Sequence, residues 1–161
     1  MAHQVLRTGL WIGAACVAWM LVMGVTGWYA HPTLQYLFLA VVIPAEVALL
    51  VLGLRRTATA SGYGSQVVAG TLMAVVAAVV IAAGSLVFTT VLVPDYFQRL
   101  RSAHEQVLRD AGRSQAEIDQ AIAAAETGET PVSNALGGVI GTIATGVVTS
   151  LVAGAFLRRR A

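Results

Sequence analysis

The chain has no lysine and a single cysteine, Cys16. Without lysine there is no phosphate-loop ammonium, no Schiff-base amine and no lysine general base. One cysteine excludes an intrachain disulfide and any cysteine-rich zinc or iron–sulfur site. Histidine is scarce too: His3, His31 and His104 are scattered and form no H-E-x-x-H pair. Charge is the largest deficit. Only 11% of the 161 residues are charged, whereas a soluble domain carries about 25%. A chain this short has much surface for its volume and needs polar residues to cover it. With 57% hydrophobic residues, it reads instead as an integral membrane protein. The net charge of +2 carries no signal for nucleic acid, because the charges segregate into blocks. A basic complement made wholly of arginine, in an Ala/Val/Gly-rich background, points to a GC-rich bacterial genome.

What the chain does have is four apolar stretches, near 8–30, 33–54, 66–93 and 132–157. At about 1.5 Å of rise per residue, each exceeds the ~30 Å hydrocarbon core. The third is long enough to require tilt or projection. Backbone polar groups in lipid must be satisfied internally, so these are helices, and no strand-like alternation competes. The first stretch is too long for a cleavable signal core and lacks a small-x-small site near Trp28-Tyr29-Ala30. Ala14-Ala15-Cys16 allows a lipoprotein signal, but apolar sequence continues where a polar tether belongs. Retention as a span is therefore expected, within one membrane domain covering 1–161.

Charge sets the expected topology. Arg7, Arg55, Arg56 and Arg158–Arg160 fall on one side with no acid among them. Segment 95–130 falls on the other, with four arginines and seven acids. Counting basic residues alone puts both termini in the cytoplasm and segment 95–130 outside. Trp28, Tyr29, Tyr36, Tyr96 and Phe97 are then expected to ring the outer interface, and Trp11, Tyr63 and Phe156 the inner one. A tight turn is expected at His31-Pro32-Thr33 and a short small-residue loop at 57–65.

Segment 95–130 is patterned. Phe97, Leu100, His104, Val107 and Leu108 recur at helical spacing, and Gly112 ends that helix. Ser114 and Glu117 form a capping-box pair opening a second helix, which Thr127-Gly128 closes. Thr130 then caps the last span, with Pro131 in its first position. A helical hairpin is expected; a single helix running out of span three past Pro94 is the alternative.

Glu46 is the one acid inside a span, two residues after Pro44. An ionisable group at mid-membrane is costly and faces other helices. Matching depth from the basic ends suggests Thr149, Ser150, Trp19 or Cys16 beside it. Two readings stay open: a proton- or ligand-binding carboxyl, and a neutral acid hydrogen-bonded within the bundle. Small residues form rows suited to close helix packing. Gly138, Thr142, Gly146, Ser150 and Gly154 lie four apart on span four, with Gly137, Gly141, Thr145, Thr149 and Ala153 alongside. Gly70, Ala74, Ala78 and Ala82 form a similar row on span three, and Gly9 and Gly13 one more pair on span one. These rows serve packing within one chain or association between chains. His31 and His104 with Glu105 or Asp110 make a weak metal set without ligand spacing, and no intramembrane histidine pair exists for haem. No metal or cofactor is expected.

An ordered series of short motifs runs through the second half. Gly53-Leu54-Arg55-Arg56 ends span two, and Tyr63-Gly64 and then Gly70 open span three. Val93-Pro94-Asp95-Tyr96 closes it, followed by Ser114-x-x-Glu117-Ile118-Asp119, Pro131, a Gly-rich span and a basic tail. From about residue 50 onward this order resembles the domain of unknown function 4199 family, small four-span membrane proteins of bacteria. Such proteins tend to be lysine-rich, unlike this chain. The resemblance implies a membrane location and topology, but no activity and no catalytic residue.

The sequence therefore predicts an all-α membrane protein: four transmembrane helices, with an extracytoplasmic helical hairpin between the third and fourth. The expected role is a non-enzymatic interaction or accessory subunit of the bacterial cytoplasmic membrane. Its expected partners are the lipid bilayer and either further copies of itself or another membrane protein. The alternative is a small proton-coupled transporter or channel, working as an oligomer through Glu46.

Overall fold

The computed structural model describes residues 2–31, 34–57 and 62–157. Among them the regular structure is entirely helical: α1 (Ala2–Thr26), α2 (Gln35–Thr57), α3 (Tyr63–Val87), α4 (Tyr96–Asp110), α5 (Gln115–Gly128) and α6 (Pro131–Leu157). Helices α1, α2, α3 and α6 are long and apolar enough to cross a membrane. Pro32 and Thr33 of the first expected turn, residues 58–61 of the second loop, and Arg158–Arg160 lie outside the described residues.

The helix ends differ from the hydropathy limits for local reasons. Helix α1 begins well before residue 8, because its polar first turns are still helical. It stops at Thr26 because Gly27 takes a left-handed φ of 70°, and Trp28–Ala30 form a short 3-10 turn. Helix α2 continues through Arg55 and Arg56, whose charges favour a helix C-terminus. Pro44 is accommodated inside it. Beyond Val87, α3 widens into a π-turn over Phe88–Leu92, closed by the Val93 N–H donating to the Phe88 carbonyl at 2.8 Å. Pro94 disfavours helical backbone at Val93, so the chain breaks there and α4 starts anew.

Helix α4 ends on Gly112, φ 72°, whose N–H donates to the Arg109 carbonyl at 2.9 Å. The next N–H, of Arg113, donates to the Leu108 carbonyl at 3.1 Å, completing a Schellman closure. Ser114 and Glu117 form the reciprocal capping box of α5. Helices α4 and α5 are joined by Arg101–Glu126 at 3.8 Å and His104–Glu129 at 3.9 Å. Thr130 Oγ1 accepts the Ser133 N–H at 3.1 Å and caps α6.

The four long helices close into a bundle. Helix α3 packs most extensively on α6 and next on α1, while α2 bridges α1 and α6. Ile12, Leu50, Leu54 and Met73 are fully buried at its centre. The small-residue rows are what bring the backbones together. A Cβ on Gly146 would collide with Ala74, and one on Gly70 with Ser150. A Cβ on Gly9 would meet Val76 of α3 at 2.6 Å, and one on Gly13 would meet Val80 at 2.6 Å.

One interfacial aromatic moves inward. Tyr29 is buried, with its ring 4.8 Å from that of Tyr96 and edge-on to Phe88 at 6.4 Å. The 3-10 turn after Gly27 tucks it under the start of α4 instead of leaving it in the lipid interface. Burial, followed by the nearby Tyr29 and Glu129, holds the Tyr96 phenol above its ordinary range.

Candidate functional site

Glu46 lies in the middle of α2. Helices α2 and α6 run in the same direction, and their register is fixed at two levels. Leu50 lies 3.9 Å from where a Gly146 Cβ would stand. Leu54 and Ser150 both meet the position of a Gly70 Cβ. One turn outward, meaning toward the end of the bundle that carries α4 and α5, Glu46 therefore stands level with Thr142.

At that level the bundle opens. A cavity of about 510 Å³ lies between α2 and α6, with Glu46, Thr142 and Thr145 at its inner end. Cys16 and Met20 of α1 and Ile81 and Ser85 of α3 form its back. Phe97 and Leu100 of α4 and Glu129 after α5 lie over its outer end. Toward the aromatic cluster it adjoins a second cavity of about 390 Å³, which shares Met20, Phe38 and Leu100 with the first.

The polar groups of this cavity are unevenly satisfied. Asn134 Nδ2 donates to Ser85 Oγ at 3.0 Å, linking α6 to α3. Glu46 is 3% exposed, yet its Oε1 has no hydrogen-bond partner among the described residues. Glu129 Oε2 is likewise buried without a partner, although its other oxygen faces His104.

The structure sorts the residues suggested from sequence. Cys16 shares the cavity with Glu46. Thr149 does not; it lines a separate surface groove with Val51 and Arg55. Ser150 donates its hydroxyl to the Gly146 carbonyl. Trp19 packs against the core, with no partner for its indole N–H among the described residues. Among the described residues, none of the last three bonds to Glu46. Depth matching from the arginines set Thr149 and Ser150 too far inward, because α6 runs on to Leu157 below the level of Arg55.

On α6, Thr142, Gly146, Ser150 and Gly154 are buried, and Gly138 approaches Ile81 of α3. Gly70, Ala74 and Ala78 of α3 are buried with them. The adjacent Gly137 and Gly141 are different: a Cβ on either would meet nothing within 4 Å among the described residues. Both line the cavity.

Ser85, Asn134 and Glu129 were not singled out from sequence. Asn134 carried the clearest signal, as an amide in the first turn of an apolar span. Gln66 is a further buried polar residue near the other end of α3; Thr57 Oγ1 donates to its Oε1 at 3.4 Å, and its Nε2 has no partner among the described residues. No group of three or more His, Cys, Asp or Glu placed to hold a metal occurs among the described residues. His104 faces Glu129, while Glu105 pairs with Arg109.

Residues 7–159 match the family described as protein of unknown function (DUF4199). The chain belongs to this family. No curated protein and no solved structure matches it. The family match takes in the first two spans, which the short motifs tied in by hydropathy alone. The four long apolar helices fit a four-span membrane protein of this family. Membership assigns no activity, so the chemistry rests on the cavity. Its walls are mostly apolar and its two carboxyls are hydrogen-bond acceptors, an arrangement suited to holding a molecule.

Proposed function

We propose that this DUF4199 protein is a non-enzymatic binding component of the bacterial cytoplasmic membrane, acting as an accessory subunit. Both termini are cytoplasmic, and the α4–α5 pair is extracytoplasmic. The excess of arginine on the terminal side supports that orientation. The observation that carries the binding role is the outer-half cavity ending on a buried, unpartnered carboxyl. Such a group persists where a second molecule completes its hydrogen bonding, because an orphaned polar atom is costly in apolar surroundings. The paired helices over the cavity are the part available to a protein partner.

Native extraction tests this reading. The C-terminally tagged chain, purified in mild detergent, is expected to bring down a partner protein or a small molecule at fixed stoichiometry by mass spectrometry. Recovery of the chain alone, with neither, would remove the accessory role. Orientation is read separately: Gln115→Cys in a Cys16→Ser background should react with an impermeant maleimide on intact cells.

A second reading draws on the same carboxyl. Glu46 lies where the outer cavity ends inside the bundle, the position required of a carrier's coupling group in a small proton-coupled transporter or channel. Flux into liposomes that Glu46→Gln abolishes would favour it over the accessory role.

A further inference from the structure

We propose that the cavity takes a lipophilic amine, a small apolar body bearing one protonated ammonium that reaches Glu46. The proposal rests on the guest-binding reading above and adds the charge and shape of the guest.

Three observations carry it. First, the cavity has acceptors in excess. Among the described residues Glu46 Oε1 and Glu129 Oε2 both lack partners, and Glu46 is 97% buried, being 3% exposed. No arginine or histidine side chain lines this cavity among the described residues. An ammonium supplies both the N–H donors and the charge that these carboxyls lack. An anion would meet two carboxyls, and a neutral alcohol would supply a donor without the charge. Second, the space is apolar and of ligand size. About 510 Å³ falls within the range of roughly 300–1,000 Å³ typical of small-molecule sites. Its α6 wall at Gly137 and Gly141 is bare, with nothing within 4 Å of an added Cβ. Third, the adjoining cavity is aromatic. Tyr36, Phe38 and Tyr96 line it, and ring faces attract cations. The only basic group lining it among the described residues is His104, which faces Glu129. A cation entering from the outer end therefore passes aromatic rings, meets Glu129 and settles on Glu46.

The test uses the full chain in lipid nanodiscs and three probes of one shape: 4-phenylbutylamine, 4-phenylbutanol and 4-phenylbutanoate. Binding is read by ligand NMR against empty nanodiscs, which removes simple partitioning. Saturable binding is expected for the amine, at least about tenfold weaker binding for the alcohol, and none for the carboxylate. Glu46→Gln should weaken the amine at least about tenfold and leave the alcohol nearly unchanged. Gly141→Leu puts a side chain into the empty groove and should abolish amine binding without unfolding the bundle, so the test stands even if Glu46→Gln fails to fold. Equal or tighter binding of the alcohol would overturn the amine while leaving guest binding intact. Saturable binding of none of the three would overturn the amine and the guest-binding reading together. Amine binding that survives Gly141→Leu would place the site elsewhere and overturn the assignment to this cavity.

Discussion

The two halves of the bundle use the same kinds of residue to opposite ends. In the inner half, glycine and serine on α6 meet glycine and alanine on α3, and the backbones approach until no Cβ fits at Gly70 or Gly146. In the outer half, Gly137 and Gly141 of the same helix face open space. The difference lies in what stands opposite. Leu50 and Leu54 of α2 are fully buried against Gly146 and Gly70, whereas one turn outward Glu46 borders the cavity. A small residue therefore brings helices together only where a neighbour is present to occupy the groove. Elsewhere it leaves room.

The largest test of this contrast is Gly146→Leu. Its side chain has nowhere to go but into Ala74, and a loss of about 3 kcal/mol or more is expected from forcing α3 and α6 apart. Thermal or denaturant unfolding in detergent would measure it. The comparison breaks if Gly146→Leu folds normally and loses only self-association. Next in size is Glu46→Leu. Removing an unpartnered buried carboxyl should stabilise the bundle by about 1–3 kcal/mol while abolishing any guest binding. A destabilised Glu46→Leu bundle would mean that the carboxyl is bonded within the fold after all.

Smaller effects sharpen the boundary between the halves. Gly141→Leu, one row away from Gly146, should change stability by no more than about 1 kcal/mol, on the stabilising side if anything, because it improves helix propensity and its Cβ meets nothing within 4 Å among the described residues. Asn134→Ala should cost about 0.5–1.5 kcal/mol by deleting the 3.0 Å hydrogen bond to Ser85 that ties α6 to α3 at the cavity.

The smallest effect concerns the α4–α5 pair. Hydrogen bonds from the Ser114 backbone and hydroxyl, and the nearby Arg113, hold the exposed Glu117 carboxyl below its ordinary range. A depressed carboxyl contributes stability above its unfolded value and loses it as pH falls through its folded one. Protection factors for amide exchange in the first turn of α5, taken relative to the intrinsic rate at each pH, should therefore fall on acidification below the ordinary carboxyl range, and Ser114→Ala should remove most of that dependence.

Much of the fold was legible because its signals are local. Gly112, the Ser114–Glu117 box and the Thr130-Pro131 start each act through a few neighbouring backbone groups. They act the same way in any tertiary setting. The end of the first span was misplaced for an equally local reason, since hydropathy does not register the left-handed turn at Gly27. Glu46 was legible as an isolated acid in an apolar run, but its surroundings were not. Thr149, Ser150 and Trp19 were suggested by counting along helices, and counting assumes equal helix ends. The actual register of α2 on α6 follows from the fit of Leu50 and Leu54 against Gly146, Ser150 and Gly70, a matter of side-chain shape across three helices.

The sequence alone determined that the chain is four apolar helices with two polar ones between the third and fourth, because span length, caps and charge blocks are properties of contiguous residues. Only the tertiary structure decided which small residues pack and which line a cavity, and that Glu46 and Glu129, 83 positions apart, border the same space. Those facts depend on how closely separate helices approach, which is set by steric fit between surfaces that no single stretch of sequence contains.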